Sequence, residues 1–157
     1  MNQKTIIFIY GLPGSGKSTL AEKIQNARGY PWYNADRVRH TLSVDLGFSI
    51  RDRLEQARRM ASLSVLSLEQ PGVDNVIVDF VCPTYETHSM FKQSVTNYSQ
   101  DKPPKILSIF MDTISNESSR FADTAKLAEY KMIDRHPDLV FTSFMQVSEG
   151  WEKAVLK

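Results

Sequence analysis

The sequence predicts an α/β domain in which a parallel sheet of about five strands carries helices on both faces. Short apolar runs recur along the chain, and longer stretches compatible with helices separate them. The apolar runs are nearly continuous rather than alternating, which is typical of strands buried on both faces of a parallel sheet. No repeat or low-complexity segment interrupts the sequence, so we predict one domain over residues 1–157.

Five apolar runs are the predicted strands. Each is short, is rich in β-branched or aromatic residues, and lies near a glycine or a proline. The predicted strands cover residues 4–10, 31–34, 76–80, 105–111 and 139–142.

Six stretches between and after these runs are the predicted helices. The clearest covers residues 51–69, because its apolar residues recur at helical spacing and a Pro-Gly pair follows its end. The other predicted helices cover residues 17–27, 37–46, 85–98, 116–134 and 148–156.

Composition and charge exclude some classes of function. The formal net charge of +1 provides no general attraction to nucleic acid or to a membrane surface. No run approaches the roughly 18 apolar residues of a membrane-spanning helix. The apolar block near the start lacks a small-residue cleavage site after it, so we predict no signal peptide. The single cysteine, Cys82, cannot form an internal disulfide, and we therefore expect a cytoplasmic protein.

The stretch GLPGSGKS, residues 11–18, directly follows the first predicted strand. It fits the pattern G-x-x-x-x-G-K-[ST] of a phosphate-binding loop, with a strand before it and a helix after it. The glycines let main-chain N–H groups point at a phosphate, and the positive end of the helix faces the same anion. The motif predicts a three-layer fold of the P-loop NTPase type. The predicted ATP site comprises Gly11, Gly14, Ser15, Gly16, Lys17, Ser18 and Thr19.

Three side chains have predicted roles at the phosphates. Lys17 supplies a positive charge to the β- and γ-phosphates, and the Ser18 hydroxyl is a ligand for Mg²⁺. Asp79, within the apolar run VIVDF, is a carboxylate that acts on the metal through water or through Ser18. The predicted cofactor is therefore Mg²⁺, with ATP as the co-substrate.

Asp36 and Arg39 follow the second predicted strand. They are three residues apart, so on a helix they share one face. A carboxylate at this point can accept a hydroxyl proton, and an arginine can hold an anionic group of the acceptor. We predict that Asp36 is catalytic. The alternative interpretation is an ordinary exposed ion pair at a helix start.

Five short motifs follow the phosphate-binding loop, in this order: Asp36-x-x-Arg39-His40, Asp45-Leu46-Gly47-Phe48-Ser49, Asp52-Arg53, Arg58-Arg59 and Phe80-Val81-Cys82-Pro83. Their order and spacing resemble those of adenylylsulfate kinases over a stretch from about Ile6 to Tyr85. A further match, Asp112-Thr113, follows the fourth strand. The resemblance implies a kinase that transfers the γ-phosphate of ATP to the ribose 3′-hydroxyl of adenylylsulfate.

The resemblance also implies an acceptor site. In that site Phe48 stacks on the acceptor's adenine, and Arg39 and Arg53 hold its phosphosulfate. Asp36 lies near the acceptor hydroxyl and Mg²⁺, which makes it a further implied metal-side residue. Two alternatives stay open, namely that Phe48 is a core or staple residue and that Arg53 belongs to a solvated helix face. The implied acceptor site comprises Asp36, Arg39, Phe48, Arg53, Gln56, Val81 and Cys82.

The sequence departs from the family's pattern at four positions near the predicted site. Asn34 replaces an aspartate, Gln56 replaces an asparagine, and Cys82 replaces a serine. Asp79 stands where the family usually has a small residue. The change at Asn34 removes a negative charge near the metal.

The predicted lid, residues 114–137, lacks the family's lid motifs. We predict a shortened lid whose Arg120 reaches the transferring phosphoryl group and is catalytic. A surface arginine on a polar helix is the alternative interpretation. Lys126 and Lys131 are weaker candidates for the same role.

Two other functions stay open at this point. The stretch Asn34-Ala35-Asp36-Arg37-Val38-Arg39, together with Asp79, also resembles polynucleotide 5′-hydroxyl kinases, although over less of the chain. A nucleotide-binding regulator without catalysis would accommodate Asn34 and the altered lid. The expected partners are ATP and a small nucleotide acceptor, with nucleic acid less favoured, no membrane, and a homodimer left open.

Overall fold

A parallel five-stranded sheet forms the centre of the structure. The computed structural model describes residues 3–114 and 137–156. In this part of the chain the strands are β1 (Thr5–Gly11), β2 (Trp32–Asn34), β3 (Asn75–Phe80), β4 (Lys105–Met111) and β5 (Leu139–Phe141). Their order in the sheet is β2-β3-β1-β4-β5, and every neighbouring pair is parallel. The predicted α/β class and the parallel sheet are confirmed.

Helices follow the strands in the order that the sequence predicts. A π-helical turn, Gln146–Gly150, leads directly into the last of them. Among the residues that the structure describes, the helices are α1 (Lys17–Arg28), α2 (Ala35–Thr41), α3 (Ile50–Leu68), α4 (Tyr85–Tyr98) and α5 (Trp151–Val155). None of the helices described is long and apolar enough to cross a membrane.

The central strand β1 is buried on both faces of the sheet. Alternate side chains of a strand point to opposite faces, so β1 contributes to two separate layers of core. Phe8 and Tyr10 pack on the side of α3 and α4, whereas Ile7 and Ile9 pack on the side of α1 and the C-terminal segment. This explains why the apolar run of β1 is continuous and confirms the three-layer arrangement.

Helix α2 is shorter than predicted. The expected span was residues 37–46, but the helix begins at Ala35 and ends at Thr41. Its start is fixed by the side chain of Asn34, whose Oδ1 accepts a hydrogen bond of 3.0 Å from the main-chain N–H of Arg37. Two apolar side chains after its end are exposed instead of continuing a buried face, namely Leu42 and Val44.

The C-terminal helix also differs from its predicted span of residues 148–156. Helical structure starts before that span, with the π-helical turn, and α5 ends at Val155. The turn is anchored by Gln146, whose Oε1 accepts hydrogen bonds from Thr142 N–H at 2.7 Å and Thr142 Oγ1 at 3.2 Å. The predicted helix over residues 116–134 lies outside the described residues.

Because all strands are parallel, their carboxyl ends lie along one edge of the sheet. This edge carries the phosphate-binding loop after β1 and helix α2 after β2. It also carries the segment after β3 and the residues that follow β5. Ligands of open α/β sheets bind at this edge, so the candidate site is expected there.

Candidate active site

One cavity of about 960 Å³ opens at this edge of the sheet. Its wall is formed by the phosphate-binding loop, the starts of α2 and α3, the segment after β3, and residues that follow β5. All seven predicted acceptor residues line it, as do five of the seven predicted ATP-site residues. The five are Gly14, Gly16, Lys17, Ser18 and Thr19.

The other two predicted ATP-site residues, Gly11 and Ser15, belong to the loop but do not line the cavity. A Cβ atom at Gly11 would lie 2.8 Å from the main-chain oxygen of Met111, so a side chain has no room there. The Ser15 side chain is fully buried, and its main-chain N–H donates to Leu12 O at 3.1 Å. These two residues therefore stabilise the conformation of the loop through packing and a main-chain hydrogen bond, away from the cavity.

Lys17 is the buried cation of the loop. Its side chain reaches back over the loop, and Nζ donates to the main-chain oxygen of Leu12 at 3.0 Å. Burial lowers the pKa of Lys17 from 10.5 to about 8, while the charges of Asp79 and Asp36 act in the opposite direction. The ammonium therefore lies in a poorly solvated position, where its attraction to a phosphate is strengthened.

Ser18 belongs to a hydrogen-bonded group at the base of the cavity. Its Oγ accepts from Asn34 Nδ2 at 3.0 Å and lies 3.4 Å from Asp79 Oδ1, to which it donates. Trp32 Nε1 donates to the other carboxylate oxygen of Asp79 at 2.5 Å. Asp79 is almost fully buried, and burial raises its pKa above the ordinary value. The predicted metal-side residues Ser18 and Asp79 are therefore in contact.

Phe48 marks the acceptor side of the cavity. Its side chain is 67% exposed, so the interpretation of Phe48 as a core residue is wrong. The guanidinium carbon of Arg39 lies 4.4 Å from the centre of the ring, and that of Arg53 lies 5.4 Å from it. Two cations therefore flank one aromatic ring, an arrangement that suits a planar, anionic ligand.

The loop that carries Phe48 is held on both sides of Gly47. Arg39 Nη1 donates to Gly47 O at 2.8 Å, and Gly47 N–H donates to Asp52 Oδ2 at 2.8 Å. Arg53 Nε donates to Phe48 O at 3.0 Å. Asp52, which the predicted site did not include, thus positions the aromatic residue. The motif Asp52-Arg53 would have pointed to it.

Both arginines are about half buried, and burial lowers the pKa of each below its usual value. For Arg39 the charges of Asp36 and Asp52 act in the opposite direction. For Arg53 the positive charge of Arg39 lowers the pKa further. The two guanidinium groups therefore repel one another in a partly desolvated position.

The floor of the acceptor side is built by residues after β3 and by α3. Cys82 is buried and has a φ of 47°, a left-handed conformation that is uncommon for a residue with a side chain. Its Sγ lies 3.5 Å from Thr87 Oγ1. Gln56 is buried as well, and its Nε2 lies 3.4 Å from Ala35 O, a long hydrogen bond to the start of α2. Gln56 lines the cavity, and its role in acceptor binding stays a prediction.

Residues after β5 also line the cavity, and sequence reasoning missed them. Phe144 is 51% exposed, and its ring lies 3.4 Å from the position of a Cβ atom at Gly16. Val147 and Ser148 continue this wall. The only signal in the sequence was an aromatic residue two positions after the last predicted strand.

The predicted lid residues Arg120, Lys126 and Lys131 lie outside the described residues. Within residues 3–114 and 137–156, no group of three or more histidine, cysteine, aspartate or glutamate side chains could hold a metal ion. A protein-only metal centre is therefore absent from this part of the chain. A cation held mainly by phosphate oxygens needs fewer protein ligands.

Comparison with protein families gives one match over most of the chain. The family described as adenylylsulphate kinase matches residues 3–131. Adenylyl-sulfate kinase of Bacillus licheniformis is 39% identical over 99 residues, which cover 60% of this chain and 49% of that protein. The bifunctional enzyme NodQ of Rhizobium meliloti is 33% identical over 120 residues, which cover 73% of this chain and 18% of NodQ. The chain thus spans about half of the first relative's length.

A solved structure resembles the whole fold. The Mycobacterium tuberculosis APS kinase CysC, in complex with AMPPNP and APS, has a TM-score of 0.71 and is 25% identical. The similarity covers 98% of this chain and 95% of that one. That protein holds an ATP analogue and adenylylsulfate at the same time.

Proposed function

This chain belongs to the adenylylsulfate kinase family, and from that premise we propose that it transfers the γ-phosphoryl group of ATP to the 3′-hydroxyl of adenylylsulfate. The observation that carries the proposal is the cavity in which the phosphate-binding loop faces Phe48 and its two arginines. A donor triphosphate and an aromatic, anionic acceptor are accommodated side by side, as in-line transfer requires.

The residues around Ser18 fit a magnesium ion. Mg²⁺ prefers oxygen ligands and is commonly held by one or two protein groups together with substrate phosphates. We assign Ser18 Oγ as the protein ligand. Asp79 accepts a hydrogen bond from Ser18 Oγ and so orients this hydroxyl. Its carboxylate oxygens already accept hydrogen bonds from Trp32 and Asn34, so we do not assign Asp79 as a ligand. When bound, the ion neutralises charge on the β- and γ-phosphates.

The remaining steps belong to side chains of the chain itself. Lys17 leaves the Leu12 carbonyl and binds the phosphates, where its charge stabilises the charge that develops during transfer. Asp36, on the first turn of α2, orients the acceptor hydroxyl and accepts its proton. Arg39 and Arg53 bind the acceptor's phosphosulfate, and Phe48 stacks on its adenine. These roles need no covalent intermediate.

Phe144 is proposed as the residue that contacts the base of ATP. It stands beside Gly16 in the wall of the cavity, and Val147 provides a second apolar surface in the same wall. The segment is held in place because Gln146 N–H donates to Ser143 Oγ at 3.2 Å. A fixed, half-exposed aromatic ring next to a phosphate site suits stacking on a nucleobase.

We expect Phe144→Ala to weaken ATP binding about tenfold, because loss of one base–aromatic stack costs roughly 1–3 kcal/mol. Binding of inorganic tripolyphosphate, which has no base, should change less than about twofold, since the phosphate-binding loop keeps its contacts. Isothermal titration calorimetry with both ligands tests this. Met145→Ala is the matched control, because the neighbouring Met145 is exposed and does not line the cavity. Equal losses for both ligands would mean that Phe144 only supports the loop.

The proposed activity is tested by ADP release from Mg·ATP with different acceptors. Separate reactions contain adenylylsulfate, a 5′-hydroxyl oligonucleotide, or no acceptor. We expect ADP release only in the reaction that contains adenylylsulfate. Mass spectrometry should identify its product as 3′-phosphoadenylylsulfate.

The other outcomes of this assay would reject the proposal. Turnover with the oligonucleotide would identify a polynucleotide hydroxyl kinase. ATP binding without turnover on either acceptor would identify a nucleotide-binding regulator. The cytoplasmic location inferred from the single cysteine stays a prediction.

A further inference from the structure

Asn34 and Asp79 face each other across two neighbouring strands. They are register partners in the parallel pair β2 and β3, close to the carboxyl ends of both strands. Asn34 Nδ2 lies 3.0 Å from Asp79 Oδ1 and 3.3 Å from Asp79 Oδ2. The site therefore contains one amide and one carboxyl group in direct contact, and the oxygens of Asp79 accept hydrogen bonds from Ser18, Trp32 and Asn34.

The side-chain amide of Asn34 serves two parts of the site at once. Its nitrogen donates to Asp79 and to Ser18 Oγ. Its oxygen accepts from the main-chain N–H of Arg37 and so caps helix α2. The orientation of the amide follows from chemistry, because an ionised carboxylate only accepts and the helix N–H only donates.

Helix α2 carries Asp36 and Arg39 into the cavity. The hydroxyl of Ser18 and the carboxylate of Asp79 lie at the phosphate side of the same cavity. The amide of Asn34 thus links helix α2 to the phosphate-binding loop through two hydrogen bonds, one from Arg37 N–H and one to Ser18 Oγ. Trp32 Nε1 donates a hydrogen bond to Asp79 Oδ2, and this contact keeps Oδ1 directed toward Asn34 and Ser18.

We propose that Asn34 is a positioning residue that acts with Asp79 as one amide–carboxylate pair, setting Ser18 for Mg·nucleotide binding and helix α2 for acceptor binding. The inference rests on the proposed function and concerns how the two halves of that site are kept in register. The amide nitrogen bonds to Asp79 and Ser18, whereas the amide oxygen caps α2. Different substitutions at position 34 can therefore remove one function and keep the other.

The substitution Asn34→Asp isolates the nitrogen end of the amide. Aspartate caps a helix as well as asparagine does, so α2 keeps its first turn. The donor to Asp79 is lost, and two carboxylates come into contact at about 3 Å. We expect affinity for a non-hydrolysable ATP analogue in the presence of Mg²⁺ to fall at least tenfold. Affinity for adenylylsulfate alone should stay within about threefold of wild type.

The double substitution Asn34→Asp with Asp79→Asn exchanges the two groups. The new carboxylate at position 34 then accepts from Arg37 N–H, from the new amide at position 79 and from Ser18. The new amide's oxygen accepts from Trp32. Every hydrogen bond has a donor and an acceptor again, and the number of charges is unchanged. We expect the exchanged protein to recover Mg·nucleotide affinity to within about threefold of wild type, whereas Asp79→Asn alone loses at least tenfold.

Asn34→Ala removes both ends of the amide. We expect it to lose both Mg·nucleotide affinity and adenylylsulfate affinity, the latter at least threefold because α2 loses its cap. The experiment measures binding of the ATP analogue with Mg²⁺ and with EDTA, binding of adenylylsulfate, and urea unfolding in EDTA, for all four variants. The free energy of unfolding in EDTA should fall in Asn34→Asp and in Asp79→Asn, and it should recover in the double variant that exchanges the two groups.

Two results would overturn the inference. One is a double variant whose Mg·nucleotide affinity is no higher than that of the weaker single variant, because that would make the two positions independent. The other is an equal effect of Asn34→Asp on nucleotide affinity with Mg²⁺ and with EDTA, which would indicate a structural residue only. None of these measurements requires phosphoryl transfer. Absence of adenylylsulfate binding in the wild type would instead reject the proposed acceptor, while the exchange still tests the pair.

Discussion

Replacement of Lys17 by alanine is expected to abolish phosphoryl transfer while the protein stays folded. The ammonium is the buried positive charge at the phosphate-binding loop, and transfer depends on stabilising charge that develops on phosphate oxygens. We expect kcat/KM to fall on the order of 1,000-fold, comparable to the loss of a key electrostatic contact in other enzymes. Steady-state kinetics with the identified acceptor measures this effect.

Folding should survive Lys17→Ala, because the side chain contributes one described hydrogen bond, to Leu12 O, and its burial is itself unfavourable. The free energy of unfolding should change by about 1 kcal/mol or less. Lys23→Ala, on the same helix, is the matched control and should retain full activity. Substantial activity in Lys17→Ala would refute the role given to the lysine, and an unfolded variant would show that the loop is a structural element.

Asp36→Asn is expected to lower turnover about 100-fold or more, with ATP affinity changed less than threefold. The amide has the shape of the carboxylate but cannot accept the proton of the acceptor hydroxyl, and general-base catalysis typically contributes about 100-fold to 10,000-fold. Asp36 lies exposed on the cavity wall at the first turn of α2, so its substitution should leave the fold intact. Single-turnover kinetics and separate ATP titrations measure the two quantities.

The comparison between turnover and binding decides the role of Asp36. A parallel loss of ATP affinity in the presence of Mg²⁺ would make Asp36 mainly a metal-site residue. Asp101→Asn, in the exposed segment before β4, is the control for the loss of one negative charge and should behave like wild type.

Much of the fold was predictable because the strands are buried on both faces. The run at residues 4–10 is continuous, and the observed strand Thr5–Gly11 differs by one residue at each end. Helix α2 was less predictable, since its end depends on local hydrogen bonds rather than on periodicity. Thr41 Oγ1, for example, bonds back to Arg37 O at 2.9 Å. No apolar pattern records such a contact.

The candidate site was predictable where a motif is contiguous and unpredictable where the fold brings separate segments together. Lys17 and Ser18 were identified from the loop motif, and Phe48 from a short stretch with a specific order of residues. Phe144 was missed because its place beside Gly16 depends on how the segment after β5 packs. The contact between Asn34 and Asp79 depends on strand register, which one sequence does not reveal.

The position of Arg39 and Arg53 against one aromatic ring has an energetic consequence. Each guanidinium is tied to a carbonyl of the loop that carries Phe48, so the chain itself keeps two like charges together. The folded protein therefore holds these two like charges close together before any ligand arrives, and an anion placed between them lowers their mutual repulsion. Anion capture and resistance to unfolding are thereby thermodynamically linked, and a small dianion should raise the melting temperature even without a nucleobase.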